Sequence, residues 1–301
     1  LKDCGGAVCP SAAGQKVNVV DAGAYWEVNT GTLKFQVKKS GAGFNIIDRA
    51  WFDQNGNSIF ESSEEVISPN SANGGLLVNR FNLTEQDSSY ADTVVTVEEF
   101  GPMRAVIKAE APALYYDTTN PNNRHGFAAR IYAYAGKSDV KIDYQLKNDA
   151  KNQKGCSGVQ GQKYTSCPSF WPLYFENMDV NFKFNLGTNP TATFGLIDDS
   201  TFSAQVGTTQ YPNGLFAAQE LHNTEYIYDA KQGQQNPIRS VQLSSNTGTP
   251  QDLFSGVKGS WLDASTGSGS WGVTATTRYS WQRWPNGLAV DGSGKLSFQL
   301  W

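Results

Sequence analysis

Residues 53 to 64 carry the spacing most suggestive of bound-ion chemistry, in the run Asp53-Gln54-Asn55-Gly56-Asn57-Ser58-Ile59-Phe60-Glu61-Ser62-Ser63-Glu64. Counted from Asp53, oxygen-bearing side chains fall at positions 1, 3, 5, 9 and 12, which are Asp53, Asn55, Asn57, Glu61 and Glu64. The carbonyl of Ile59 takes position 7. A hard cation such as Ca2+ takes six to eight oxygens, and this spacing wraps them about one point, with Glu64 placed to supply two. The run departs from the usual loop in several respects: its glycine stands at position 4, while Ser58 holds position 6, and only three of its side-chain ligands are carboxylates. The flanks, 46–52 and 65–67, read as strands rather than helices. The alternative is a plain β-hairpin, with Asn55-Gly56 as its two-residue turn and the acidic residues solvated. An ion held here is expected to be structural, because extracellular calcium is abundant enough to fill weak sites.

A second concentration lies near the C-terminus, where Trp271, Arg278, Trp281, Arg283 and Trp284 fall within 14 residues. Indole offers a flat, electron-rich face to the C–H face of a sugar ring, and arginine grips carboxylates through two parallel hydrogen bonds. Arg278, Trp281, Arg283 and Trp284 are therefore the candidate contacts to an acidic polysaccharide. The competing role for such rings is core filling with stacked arginines. Trp271 belongs there, since at period two it shares a face with Val273 and Ala275.

Signals for catalysis are sparse. The only histidines are His125 and His222, and no GxSxG, HExxH or phosphate-binding glycine loop is present. Asp198-Asp199 and Glu64-Glu65 are adjacent, so on strands their side chains diverge. No catalytic residue is assigned, and this chain by itself is expected not to be an enzyme; if it is one, a polysaccharide lyase is the expectation. Asn82-Leu83-Thr84 fits the N-glycosylation acceptor pattern.

Composition narrows the partners. A net charge of −4, a pI near 5.3 and no basic cluster speak against nucleic acid. No apolar run is long enough to span a membrane as a helix. The four cysteines pair locally along the sequence, Cys4 near Cys9 and Cys156 near Cys167, without zinc spacing. Disulfides and an oxidising compartment are the expectation, with three connectivities open and the local one preferred. A start at Leu1 fits a processed or trimmed chain, so secretion to the extracellular space or cell surface is expected.

The elements that must position these groups show in the alternation. Residues 32–38, 104–110, 140–146, 180–184 and 296–300 each switch face at every step, as half-buried antiparallel strands do. Asn55-Gly56, Ser40-Gly41, Asn73-Gly74-Gly75, Asn213-Gly214 and Asp291-Gly292 mark turns between them. No stretch shows a sustained helical period. The fold class expected is all-β, with mainly antiparallel sheets forming sandwiches or barrels. The expected division is an N-terminal arm at 1–16, a small β-domain at 17–90 and a sandwich at 91–301. Lys295 to Trp301 reads as a strand stopping in mid-run, which implies a longer natural chain.

Several of these motifs also occur in an order that resembles the N-terminal and middle β-domains of the exo-rhamnogalacturonan lyase family. They are Thr30-Gly31-Thr32-Leu33-Lys34-Phe35-Gln36-Val37, Gly101-Pro102-Met103-Arg104-Ala105-Val106 and Arg130-Ile131-Tyr132-Ala133-Tyr134-Ala135-Gly136. Trp271-Gly272-Val273 follows, then Arg278, Trp281, Trp284-Pro285, Leu288, Val290 and Leu300-Trp301. The resemblance implies an antiparallel, mutarotase-like β-sandwich preceded by a small β-barrel or β-subdomain, with the lyase chemistry in a following α/α-barrel domain that these residues do not contain. The Asp53–Glu64 run and both cysteine pairs are not part of that pattern. The functional expectation is an extracellular, non-catalytic carbohydrate-binding or accessory module related to polysaccharide lyases. Two rivals stand beside it: a self-assembling surface or filament subunit stabilised by calcium, and a lyase or lyase fragment lacking its catalytic domain.

Overall fold

The structure is a computed structural model describing residues 16–40, 44–69, 75–80, 83–86, 93–115, 124–148, 177–196, 200–220, 240–245, 251–278 and 287–299. All regular elements among them are strands except one 3-10 turn, Ser62–Glu64, so the all-β expectation holds. The chain contacts divide into two compact units. The first comprises Leu1–Ser71 and Asp87–Leu173; the second comprises Ala72–Gln86 and Tyr174–Trp301.

The first unit is a sandwich of two antiparallel sheets. One holds β1 (Asn18–Asp21), β2 (Tyr25–Asn29), β3 (Leu33–Lys38), β4 (Arg49–Phe52) and β5 (Glu65–Ile67) in chain order. The other holds β8 (Val94–Phe100), β9 (Arg104–Tyr115), β10 (Arg124–Tyr134) and β11 (Val140–Asn148). Alternation decides the layers. On β3, Leu33, Phe35 and Val37 are buried while Lys34, Gln36 and Lys38 stay partly exposed. On the second sheet, Ala105, Ile107, Ala109 and Ala111 of β9 and Phe127, Ala129, Ile131 and Ala133 of β10 line the inner face. Small alanines there leave room for large rings, and Phe127 stacks on Phe44 at 5.9 Å and on Tyr144 at 5.6 Å.

Hydrogen bonds tie the two sheets. Trp26 Nε1 donates to the Val95 carbonyl, and Val95 N donates to the Lys39 carbonyl. Thr30, fully buried, donates its hydroxyl to the Lys137 carbonyl at 2.7 Å, and its own carbonyl accepts from Gly136 N. Strands β1–β5 and strands β8–β11 thus form opposite layers of one sandwich.

The outward face of the second sheet is a mosaic of paired charges. Arg130 holds Glu98 through two hydrogen bonds of 2.7 and 2.9 Å, Arg104 holds Glu99, Lys108 pairs with Glu110 and Lys141 with Asp143. Exposed pairs of this kind add about 0–1 kcal/mol each, so they set solubility and register more than stability.

The second unit is built on one long antiparallel sheet. It contains β6 (Gly75–Arg80), β7 (Leu83–Gln86), β12 (Asn177–Lys183), β13 (Thr191–Leu196), β14 (Thr201–Gln205), β15 (Leu215–Glu220) and β16 (Ser240–Ser245). β17 (Gln251–Ser265), β18 (Gly272–Thr276), β19 (Gly287–Val290) and β20 (Lys295–Gln299) complete it. The order is β14-β13-β17-β16-β15-β19-β20-β12-β6-β7, with β18 on β17. Register shifts on β13, β16 and β17 bend it. Its core gathers Leu186, Phe194, Val206, Leu215, Leu262, Leu288, Val290 and Leu296, with Trp271 and Val273 packed against it. Trp271 and Ala275 thus take the core side that their period-two spacing predicts. Gly195 lets β13 cross the Trp261 indole directly, since a Cβ there would meet the ring at 2.5–2.7 Å.

Candidate functional site

The loop between β4 and β5 is the part of the described structure that draws the most chemistry-bearing side chains to one place. β4 and β5 pair antiparallel across it, with Trp51 opposite Glu65. The strands end at Phe52 and begin again at Glu65, so Asn55-Gly56 is not a two-residue hairpin turn but one bend within a twelve-residue connection.

Short polar side chains organise that connection by taking up backbone N–H groups, the usual work of Asp and Asn in turns. Asp53 Oδ1 accepts from Gly56 N at 2.8 Å and Asn57 N at 3.1 Å, and its Oδ2 accepts from Ser58 N at 2.9 Å. Asn55 Oδ1 accepts from Asn57 N, and Asn57 Oδ1 from Ile59 N. From the far end, Glu64 Oε1 accepts from Gln54 N at 3.0 Å and Glu64 Oε2 from Glu61 N at 3.2 Å. Glu61 receives Asn55 Nδ2 at 3.0 Å on one oxygen and Asn57 Nδ2 at 2.9 Å on the other.

Both anchoring carboxylates are withdrawn from solvent, Asp53 at 9 % and Glu64 at 4 % exposure, while Asn55, Asn57 and Ile59 are exposed. Ser58 has φ 63°, a left-handed conformation that side chains rarely adopt, at the position where the usual cation loop carries glycine. Of the six sequence-derived ligands, the five side chains are joined by this hydrogen-bond net, and Ile59 enters it through its N–H. Among the described residues, no set of three or more His, Cys, Asp or Glu is arranged as a metal site. The two asparagine oxygens and the Ile59 carbonyl are therefore essential to the six-ligand reading. The loop is also tied to the sheet below. Lys34 Nζ lies 4.2 Å from the Trp51 ring centroid and 5.2 Å from that of Phe60, a residue of the loop.

The other sequence-derived sites are reached only in part. Arg278 is exposed just beyond β18, while Trp281, Arg283 and Trp284 lie outside the described residues. Cys4, Cys9, Cys156, Cys167, Asn82 and His222 lie outside them as well. His125 sits in β10, opposite Leu114 and Asn148. A shallow depression of about 870 Å3 opens among Asn189, Gly207, Asn213, Asp291 and Ser293. Asp291 is a turn former there, its Oδ1 accepting from Ser293 N, Ser293 Oγ and Lys295 N. Sequence reading missed one titratable group, Asp179 of β12. Burial pushes its carboxyl up to about 6, and the Lys295 charge opposes that only in part.

With the sandwich and its loop in view, comparison with known families becomes specific. Residues 17–161 match the model described as PcRGLX-like protein central beta sandwich domain. The matched PcRGLX-like segment contains every described strand of the first unit, the Asp53–Glu64 loop and the β6–β7 hairpin. It agrees with the resemblance to the rhamnogalacturonan lyase β-domains that the ordered motifs carry. No curated protein matches the chain. No helix among the described residues is long and apolar enough to cross a membrane.

Proposed function

We propose that this chain is a non-catalytic, extracellular β-module of a rhamnogalacturonan-lyase-like protein, holding acidic polysaccharide for chemistry done elsewhere. The observation that carries this reading is the match of residues 17–161 to a central β-sandwich domain. Arg278, Trp281, Arg283 and Trp284 are the assigned glycan contacts, through ring stacking and carboxylate pairing.

The test is binding to rhamnogalacturonan, polygalacturonate and a neutral arabinogalactan by affinity electrophoresis and calorimetry. The acidic polymers are expected to bind and the neutral one not. Trp281→Ala with Trp284→Ala should weaken binding about tenfold or more, a loss of at least about 1.4 kcal/mol, without lowering the melting temperature. Absence of binding by the unaltered chain rejects the module. Unsaturated product released by this chain alone rejects its non-catalytic role.

Ca2+ in the Asp53–Glu64 loop completes the proposal as a structural ion. Its support is the ligand spacing, the net joining the five side chains and the left-handed Ser58. A weak extracellular site filled at about ten times its Kd stabilises by about 1.4 kcal/mol. Chelator should therefore lower the melting temperature by roughly 2–5 °C. The Asp53→Asn/Glu64→Gln variant should be less stable by about 1–2 kcal/mol and indifferent to chelator. A melting temperature unmoved by chelator in the unaltered chain removes the ion.

A further inference from the structure

The path of the chain between the units is unusual. From β5 it runs through residues 68–74, enters the second unit as the β6–β7 hairpin, and returns through residues 87–93 to β8 of the first. The hairpin thus contributes its strands to one unit while both of its ends are bonded to the other. Strand β6 completes the ladder on β12 over five register pairs, from Asn177 opposite Asn79 to Asn181 opposite Gly75. Beyond it, β7 pairs only with β6 among the described strands.

Two consequences follow from elementary hydrogen bonding. Without β6, the side of β12 away from β20 would present the N–H and C=O groups of alternate residues between Asn177 and Asn181, and a bare strand edge of this kind accepts another strand. The hairpin is also a self-contained donor. Its two strands pair internally over four residues, Leu77 opposite Gln86 to Arg80 opposite Leu83, and seven residues on each side join it to the first unit. Each connection spans up to about 25 Å when extended. An element donated in this way makes the same ladder whether the acceptor strand belongs to its own chain or to another, which is the physical basis of segment exchange.

We propose that the β6–β7 hairpin is an exchangeable clip and that the edge of β12 accepts the same hairpin from a second copy of this chain. All five β6–β12 pairs are retained in the exchanged form. The partner is therefore fixed by register and not by a new surface. The exchanged assembly is reached through opening of the hairpin, so it forms slowly and at high chain concentration. A reciprocal exchange closes into a dimer. The proposal is independent of the glycan-binding reading.

Cross-strand cysteines test it on the full chain. Val78 and Met178 are directly opposed, so the Val78→Cys/Met178→Cys double variant should close a disulfide within one chain and verify the register. The decisive experiment mixes two single variants, Val78→Cys in one chain and Met178→Cys in another carrying a different tag. Neither can form the bond within its own chain. After prolonged incubation at high concentration, the mixture should yield a doubly tagged species at twice the 32.8 kDa chain mass. Its yield should be at least tenfold above that from Val78→Cys mixed with Asp263→Cys. The proposal is overturned if the double variant closes while the mixed singles link no better than that mispaired control. Failure of the double variant to close overturns it too, by removing the register on which it stands.

Discussion

Phe127→Ala is expected to cost about 3–5 kcal/mol of unfolding free energy, the largest single-site effect in the first unit. Phe127 is 1 % exposed on the inner face of β10, stacked between the rings of Phe44 and Tyr144. Its neighbours along β9 and β10 include Ala109, Ala111 and Ala129, which have no side-chain length with which to fill the space a lost ring leaves. The cavity therefore persists, and its cost adds to the lost transfer energy and ring stacking. Phe100 provides the contrast, 68 % exposed at the end of β8, where Phe100→Ala should change stability by less than about 0.5 kcal/mol. Denaturant unfolding followed by circular dichroism measures both. Similar midpoints for the two variants would mean that the Ala-lined face of the second sheet is not the centre of the sandwich.

That prediction depends on knowing which strands face one another, and this was the part of the fold the sequence concealed. Strand existence was legible wherever one face is wet, because Leu33, Phe35 and Val37 alternate without interruption with Lys34, Gln36 and Lys38. β9 was harder: Ala105 and Val106 are both buried and the alternation blurs. Sheet partnership was not legible at all, since local pattern says nothing of a ladder between residues a hundred positions apart. β6 on β12 and β12 on β20 are of that kind, and so is the contact of Phe44 with Phe127.

The candidate loop was legible for the opposite reason. Its geometry is made by contacts two to ten residues apart, so nearness along the chain alone brings these side chains together. The choice between a turn and an ion loop rested on the missing glycine at Ser58. The structure answers the conformational half of that question: Ser58 takes the left-handed conformation despite its side chain, and Asp53 Oδ2 holds its N–H at 2.9 Å. The dependence on Asn55, Asn57 and a carbonyl makes the loop's proposed affinity weak, because fewer charged ligands mean less attraction for a divalent ion.

Asp179→Asn is expected to stabilise the chain at neutral pH by up to about 3 kcal/mol, and to do almost nothing at about pH 3. Asp179 lies mid-strand on β12, opposite Leu77 of β6 and Gln299 of β20, and its Oδ1 is shut off from solvent without a hydrogen-bond partner. Burial favours the neutral acid and carries the group up to about 6 from an unfolded value of 3.8, against the pull of Lys295. An acid raised in the folded state contributes fully below pH 3.8. As pH climbs past that value, the unfolded chain ionises first and the folded chain loses ground, until the folded carboxyl ionises near pH 6 and the loss levels off. Across that window the gap of about 2.2 units corresponds to about 3 kcal/mol. Asparagine keeps the shape and removes the proton, so subtracting its stability profile from that of the unaltered chain isolates this group. Asp48, whose carboxyl burial also raises, contributes equally to both profiles and cancels. A difference that stays flat between pH 4 and 7.5 would place the Asp179 carboxylate in contact with water. A difference that grows with pH would establish β12 as a strand whose central charge is neutralised by enclosure and not by a partner.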